Sequence, residues 1–331
     1  MGQLLKKVRA LCLLSGGLDS LLAVCVLKEH GIEVHGIVFE SPFFNSALAE
    51  KGASQLNVPL HKIDFTDDII TLIKHPRHGF GACLNPCIDC HTQMIKRAGE
   101  YMQKNNFDFI STGEVLNERP MSQTKRSLDI VARQSGFADF LVRPLSALLL
   151  EETQPEKMGL IDRSRLLALH GRSRKEQLRL AEKYKLSDIP TPAGGCLLTD
   201  PHFTKRLKDL MTHEGLSEKN RIALLKYGRH IRFPGGNKLI IGRNEYENDI
   251  IKKLAANNEY VMFPLNIKGP IGVLSCPAEE ENVLMAASLC ARYCDINNRK
   301  ELVRMVICRG GDNRIAEVMP CECSEKGLSL L

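Results

Sequence analysis

The sequence contains no apolar run that approaches the roughly 18 residues needed to cross a bilayer. The opening segment, MGQLLKKVRALCLL, is too short in its apolar part for a signal peptide. No internal repeat or low-complexity tract is present either. These absences exclude an integral membrane protein, and we expect a cytosolic protein with no membrane partner.

The composition is that of an ordinary globular protein. The chain has 331 residues, of which 44% are hydrophobic and 25% are charged, so it is long enough for two domains with a sizeable core. It also contains 12 cysteines. In a cytosolic chain this number argues against a disulfide framework and favours metal or sulfur chemistry.

A strand, a glycine-containing loop and a helix follow one another near the start of the chain. Val8–Leu14 is an apolar run typical of a buried parallel strand, Ser15–Ser20 reads SGGLDS, and Leu21–Leu27 has a helical pattern. Backbone N–H groups at such a turn, together with the helix dipole, attract an anion. The loop lacks the lysine of the P-loop, so it predicts a different phosphate cradle. The alternative is an ordinary glycine turn in a doubly wound domain.

The following segments alternate between strands and helices. Val34–Phe39 and Pro59–Ile63 read as strands, while Ser41–Asn57 and Asp67–Ile73 have helical spacing. This alternation predicts an α/β fold with a doubly wound parallel sheet, in which ligands bind at the carboxyl ends of the strands. Phe39 then lies beside the loop, either as a wall for adenine or as a plain core residue.

Positive charge is concentrated in the middle of the chain. Between Lys157 and Lys185 we count nine Lys or Arg residues and three Asp or Glu residues, against a net charge of +6 for the whole chain. Pro155–Leu169 and Ser173–Tyr184 read as two basic helices. They suit a polyanion such as RNA, or are simply solvated helix faces.

Short strands dominate after Gly228, so we predict a separate, smaller α+β module there. The predicted strands are His230–Phe233, Lys238–Ile241, Tyr260–Phe263, Ile271–Leu274 and Val303–Cys308, and the predicted helices are Asn244–Asn257 and Glu279–Cys294. We place a nucleotide-binding domain at residues 1–190, a connector with a cysteine loop and a helix at 191–228, and the module at 229–331.

Three cysteines are candidates for sulfur or metal chemistry. Cys87 and Cys90 form a CxxC at the start of a helix, whose N-terminus is expected to lower their pKa, and Cys196 follows two glycines. Three protein ligands leave one position open, as in a catalytic zinc site or a [4Fe–4S] cluster that binds sulfide. A persulfide-carrying cysteine with a resolving partner, or inert burial, are the alternatives. Cys83 is a spare candidate ligand.

These motifs together resemble the tRNA thiouridine synthases of the PP-loop ATP pyrophosphatase superfamily. The resemblance is carried by Ser15–Ser20, NPCIDCH at Asn85–His91, Thr112-Gly113 and the later GGC, and it covers about residues 5–210. Residues Gly235–Asn248 look like the signature of an NFACT-type RNA-binding domain. The match departs from that pattern at Tyr260–Pro264, where an aromatic-His segment is expected.

The resemblance implies a HUP-like, adenine nucleotide alpha hydrolase-like fold and ATP-dependent thiolation of tRNA. A uridine carbonyl would be adenylated and its oxygen replaced by sulfur from a [4Fe–4S] cluster on Cys87, Cys90 and Cys196. Asp19 would help to hold Mg²⁺. The remaining residues expected to bind ATP are Ser15, Gly16, Gly17, Ser20, Phe39 and Gly113.

An RNA-binding surface is also expected, because the base must be presented unstacked. Its candidates are Arg163, Arg165, Arg172, Arg174, Lys175, Lys238 and Arg243. Sulfide or a separate carrier would donate sulfur, since no rhodanese-type loop is evident, and a homodimer is left open. Three alternatives remain: a persulfide relay without a cluster, an amide-forming ATP pyrophosphatase, and an inactive RNA-binding module.

Overall fold

The computed structural model describes residues 7–187, 189, 195–296, 298, 300–323 and 328–331. It divides the chain into two units, Met1–Thr199 and Asp200–Leu331. The predicted domain boundary at 190/191 falls on residues outside this description. No helix among the described residues is both long and apolar enough to cross a membrane.

A five-stranded parallel sheet forms the centre of the first unit, which confirms the predicted fold class. Its strands are β1 (Arg9–Leu13), β2 (Glu33–Glu40), β3 (Leu60–Asp64), β4 (Phe109–Ser111) and β5 (Leu141–Val142). Their order in the sheet is β3-β2-β1-β4-β5. Strands β2 and β3 therefore lie on one side of β1, and β4 and β5 lie on the other. A crevice for ligands opens between β1 and β4, where the strand order switches sides.

Helices of the first unit connect and cover these strands. They are α1 (Leu18–Glu29), α2 (Ala47–Leu56), α3 (Thr66–Lys74), α4 (Cys87–Lys104), α5 (Lys125–Ser135), α6 (Gln154–Lys157) and α7 (Lys175–Lys183). Helix α1 is apolar almost all round and packs against β1, β2, α2 and α7, so it lies in the core. Helix α4 packs against β1, β4, α3 and α5.

The prediction of a long basic helix at residues 155–169 is wrong. Helix α6 ends at Lys157, and Gly159 then adopts a left-handed φ of 71°, which a continuing helix does not allow. Arg163–Arg165 forms a single 3₁₀ turn, in which the N–H of Ser164 donates to the side chain of Asp162 (3.0 Å). The second basic helix is present as α7.

The second unit is built on a seven-stranded sheet in the order β11-β10-β8-β9-β7-β6-β12. Its strands are β6 (Arg229–Arg232), β7 (Lys238–Ile241), β8 (Tyr260–Pro264), β9 (Gly272–Leu274), β10 (Val303–Arg309), β11 (Asp312–Val318) and β12 (Ser329–Leu330). Its helices are α8 (Pro201–His213), α9 (Lys219–Leu224), α10 (Glu245–Leu254) and α11 (Glu280–Ala291). The described pairings are all antiparallel, and the predicted α+β module is confirmed.

Replacing Asn244 by alanine should lower the free energy of unfolding by about 1 kcal/mol. The Asn244 side chain accepts a hydrogen bond from the N–H of Glu247 (2.9 Å) and so caps the start of α10. Urea unfolding followed by circular dichroism measures the change. Asn258→Ala, at an exposed position outside any helix or strand, is the control. An equal loss in both variants would contradict the capping role.

Candidate functional site

The loop after β1 is shaped for close approach of an anion. Gly16 has a left-handed φ of 78°, and a Cβ there would lie 2.2 Å from the backbone carbon of Leu48. Ser20 Oγ donates to the Gly17 carbonyl (2.8 Å), and the hydroxyls of Ser15 and Ser20 are 3.2 Å apart. Gly17 precedes α1 without a side-chain cap, which leaves first-turn N–H groups for a ligand. These features fit the phosphates of ATP.

Two residues predicted to touch the nucleotide have other neighbours. A Cβ on Gly113 would lie 2.5 Å from the backbone of Asp19 and Ser20, so this glycine packs against the start of α1 itself. Phe39 is 5% exposed, and its ring packs edge-on against Phe65 with centroids 5.3 Å apart. Phe39 is therefore a core residue, and its placement does not support a wall for adenine.

Two carboxylates and two arginines interact beside the loop. Burial raises the pKa of Asp19, an effect that the charges of Arg174 and Arg119 reduce. Burial and the negative charge of Asp19 raise the pKa of Glu118 to about 7. Gln177, which is 1% exposed, also acts to lower the pKa of the Asp19 carboxyl group. Helix α7 and the loop after β4 thus both bring polar side chains to Asp19.

The three candidate cysteines lie at the carboxyl edge of the same sheet. Cys87 and Cys90 occupy the first turn of α4, where Asn85 Nδ2 donates to Cys87 Sγ (3.2 Å). The segment of Cys196 is attached to the chain beyond β2, because the N–H of Leu197 donates to the carbonyl of Phe43 (2.9 Å). Residues 191–194 of the predicted cysteine loop lie outside the described residues.

The three thiols are close enough to influence one another electrostatically. Burial, followed by the neighbouring Cys196 and Cys87, raises the pKa of Cys90 well above its ordinary value. Burial is also the main cause that raises the pKa of Cys196 to about 11. The prediction that the helix N-terminus lowers the pKa is therefore wrong for Cys90, because removal from water outweighs the helix dipole.

The described side chains do not form a metal-ligand set. In this part of the chain, which includes Cys87, Cys90 and Cys196, no group of three or more His, Cys, Asp or Glu side chains is arranged to hold a metal ion. Three thiols suit a [4Fe–4S] cluster in kind. Their described placement does not fit one.

A buried carboxylate connects the cysteine segment with the end of β4. Glu114 accepts hydrogen bonds from His91 Nδ1 (3.1 Å), Arg143 Nε (2.8 Å) and Thr112 Oγ1 (3.1 Å). Burial opposes its ionisation, but the charge of Arg143 and the bond to His91 prevail and lower its pKa to about 2. His91 directly follows Cys90, so this carboxylate helps to hold the thiols next to the phosphate loop.

The predicted RNA-binding residues of the first unit are in different environments. Arg163 donates to the carbonyls of Ala147 (2.7 Å) and Leu150 (2.8 Å) and pairs with Glu156. The guanidinium of Arg165 donates to the carbonyl of Glu29 (3.0 Å). Arg163 therefore stabilises the local fold through these contacts. Arg172 and Lys175 are exposed, and Arg174 acts on Asp19.

The two predicted RNA-binding residues of the second unit are ion-paired. Lys238 is 3% exposed, and its Nζ lies 2.9 Å from a carboxylate oxygen of Asp209. Arg243 is half-exposed and pairs with Glu247 four residues later. The burial of Lys238 leaves its ammonium group no free face, so this placement does not support direct contact with RNA.

Sequence reasoning did not assign roles to several polar residues of the site. Among them are Glu114, Glu118, Arg143 and Gln177. Glu114 and Glu118 follow β4 at the carboxyl edge of the sheet. This position indicates a ligand-binding residue, because ligands of parallel sheets bind at that edge. Arg143 and Gln177 carry no such signal, because they reach the site only through the packing of β5 and α7.

Two family models match the chain. Residues 6–153 match the family described as thiamine biosynthesis protein (ThiI), and residues 228–326 match the NFACT protein RNA binding domain. The first match includes the phosphate loop, Cys87 and Cys90, whereas Cys196 lies beyond it.

Curated relatives agree with the first of these matches. The chain is 26% identical over 260 residues to the tRNA-specific 2-thiouridylase MnmA of Karelsulcia muelleri, covering 74% of this chain and 64% of the relative. It is 30% identical over 146 residues to a probable tRNA sulfurtransferase of Thermoanaerobacter sp., covering 41% and 36%. The chain thus spans less than two thirds of the length of either relative.

A solved 4-thiouridine synthetase–RNA complex with bound ATP is also similar. It shares 18% identity, with 66% of this chain and 52% of that chain covered and a TM-score of 0.36.

Proposed function

Since residues 6–153 form a ThiI-family domain and residues 228–326 an NFACT-type RNA-binding domain, we propose that this protein is an ATP-dependent tRNA sulfurtransferase. The observation that carries the proposal is the interaction of three thiols at the edge of the sheet that holds the phosphate loop. Glu114 lies between the loop and the thiols. Its carboxylate accepts a hydrogen bond from His91, which follows Cys90, and its neighbour Gly113 packs against the backbone of Asp19.

The residues of the phosphate loop would activate the base. ATP supplies an electrophilic α-phosphorus and a pyrophosphate leaving group. The first-turn N–H groups of α1 and the Ser15 and Ser20 hydroxyls would hold its phosphates. A uridine carbonyl oxygen attacks the α-phosphorus and displaces pyrophosphate. Arg119 and Arg174, whose charges act on Asp19 beside the loop, would offset the charge that develops on that leaving group.

The cysteines would then deliver sulfur as a persulfide, which forms when one cysteine thiolate takes the outer sulfur of a carrier's persulfide and leaves the carrier as a thiolate. The terminal sulfur attacks the activated ring carbon, and AMP leaves with the former carbonyl oxygen. A second cysteine thiolate attacks the inner sulfur, which releases the thiocarbonyl and leaves a disulfide between the two cysteines. A thiol reductant restores both thiols. Interaction of Cys90 with both Cys87 and Cys196 supports such an exchange.

Nucleoside mass spectrometry of a deletion strain tests the function. We expect one thiolated uridine to disappear from its tRNA and to return when the wild-type gene is restored. Purified protein should also release pyrophosphate from ATP when unmodified tRNA is added. An unchanged nucleoside profile, with no tRNA-dependent pyrophosphate release, would refute the proposal.

Iron analysis separates the persulfide relay from the cluster that the family resemblance suggests. Protein purified without oxygen should contain no stoichiometric iron, and intact mass after exposure to a sulfur donor should rise by one sulfur atom. Iron and inorganic sulfide that are lost together in Cys87→Ser would instead establish the cluster.

A further inference from the structure

The loop that leads from α3 to α4, residues 75–86, presents positive charge and an aromatic ring to solvent. Arg77 and Phe80 of this loop are exposed, as is Lys74 at the end of α3. Residues 69–88 contain no Asp or Glu. Within the part of the chain that the structure describes, Lys74 and Arg77 form no ion pair, and the Phe80 ring packs on no other ring or cation. Free positive charge beside a free aromatic ring is the combination that binds single-stranded nucleic acid.

Hydrogen bonds to the start of α4 hold this loop in place. The Asp89 carboxylate is 5% exposed and accepts hydrogen bonds from the backbone N–H (3.0 Å) and the ring Nδ1 (2.6 Å) of His78. The N–H of Gly81 donates to the carbonyl of Asn85 (3.0 Å). Phe80 lies between these two attachment points, so its backbone is already ordered. A ligand that binds its ring therefore loses little entropy in ordering the loop.

The same contacts place Phe80 near a thiol. A Cβ on Gly81 would lie 2.4 Å from the side-chain nitrogen of Asn85, and that nitrogen donates to Cys87 Sγ (3.2 Å). Because consecutive Cα atoms are about 3.8 Å apart, the Cα of Phe80 lies no more than about 11 Å from this sulfur. A nucleotide stacked on Phe80 would thus be the one that reacts, or a close neighbour of it in the strand.

We propose that Phe80 and Arg77 bind the single-stranded part of the RNA substrate beside the thiols. Phe80 stacks on an unpaired base, and Arg77 contacts a neighbouring phosphate. A base has to leave its helical stack before a thiol reaches its ring carbon, and an aromatic side chain replaces the stacking that it loses. The charge of Lys74 and Arg77 is complementary to the phosphates of the strand, and no carboxylate within residues 69–88 opposes it. The inference rests on the proposed function, because it takes RNA as the sulfur acceptor.

Tryptophan fluorescence tests the stacking, because the chain contains no tryptophan. Phe80→Trp places a single indole in the loop of the full-length protein, and single-stranded oligouridine is the probe. Stacking on uracil should quench the indole emission strongly. Adding Arg77→Gln to this variant should weaken the binding that the quenching reports and reduce its salt dependence, the slope of log Kd against log salt, by about 1.

Phe140→Trp is the matched control for this titration. Phe140 is exactly as exposed as Phe80, at 38%, but it directly precedes β5, on the side where the strands of the sheet begin. The emission of Phe140→Trp should not change when oligouridine is added.

The tRNA dependence of the reaction gives a second measurement. Phe80→Ala should raise the tRNA concentration at half-maximal pyrophosphate release about tenfold, because a stacked base is lost. Phe80→Trp should keep the wild-type value, since any aromatic ring offers a stacking face.

Unquenched emission of Phe80→Trp at saturating oligouridine overturns the proposal, as does a wild-type tRNA requirement in Phe80→Ala. Equal quenching by polyglutamate also overturns it, because the loop would then suit an acidic protein partner. The fluorescence titration needs neither ATP nor sulfur. If it fails while thiolation persists, only this inference falls. If oligouridine quenches Phe80→Trp but no thiolated nucleoside depends on the protein, only the proposed function falls.

Discussion

Replacing Cys196 by serine should reduce tRNA thiolation by about a thousandfold or more while ATP is still cleaved. Serine preserves the size of the side chain but cannot carry transferable sulfur. The phosphate loop, which includes Asp19, belongs to another segment, so activation of the base should continue. Liquid chromatography of digested tRNA measures the thiolated nucleoside, and labelled ATP measures release of AMP and pyrophosphate.

Cys308→Ser is the matched control for this experiment. Cys308 is also partly buried, with a pKa raised by burial, but it lies on β10 in the second unit. Its replacement should leave thiolation unchanged. Wild-type thiolation in Cys196→Ser would remove this cysteine from sulfur transfer, whereas simultaneous loss of ATP cleavage would show that it supports the fold of the loop instead.

Replacing Glu114 by glutamine should lower the free energy of unfolding by about 3 kcal/mol or more. The neutral side chain leaves the guanidinium of Arg143, only 8% exposed, without its counter-charge. It also weakens the bond that holds His91 beside Cys90. Urea unfolding followed by circular dichroism measures the loss, since the chain contains no tryptophan. Glu176→Gln, which removes an exposed pair, should cost no more than about 1 kcal/mol.

The same carboxylate makes stability depend on pH. Its pKa falls from the ordinary 4.5 to about 2 on folding, so its contribution is fully present above pH 4.5. It is lost as the pH falls from 4.5 towards 2, because protonation then favours the unfolded chain, and the shift corresponds to about 3 kcal/mol. The difference in stability between wild type and Glu114→Gln should therefore shrink over this range. A difference that stays constant with pH would show that Glu114 is not held as a carboxylate.

Most elements of secondary structure were predictable because their signals are local. The apolar run at Val34–Phe39 became β2 with one residue more at each end, and Lys238–Ile241 became β7 with the predicted bounds. Such runs predict strands because burial on both faces requires continuous apolar side chains. The prediction for residues 155–169 failed because a basic, helix-compatible composition does not report the left-handed backbone at Gly159.

The residues of the site were only partly predictable. The loop Ser15–Ser20 and the pair Cys87 and Cys90 are contiguous motifs, and each carries its chemistry within a few residues. The sequence allows Phe39 to be either a wall for adenine or a core residue, and the ring of Phe65 packed against it indicates the second. Lys238 looks like any surface lysine in the sequence, but Asp209, 29 residues earlier, neutralises it inside the second unit.

By itself, the sequence determined the parallel α/β sheet, the phosphate loop at the end of its first strand and the α+β module that follows, because these depend on the order and polarity of neighbouring residues. Tertiary structure alone decided that Gln177 acts on the pKa of Asp19 and Asp19 on that of Glu118, that Glu114 joins the cysteine helix to the loop, and that burial raises the pKa of Cys90. Pairing and desolvation arise between segments far apart in the chain, and no local pattern records which of them fold against each other.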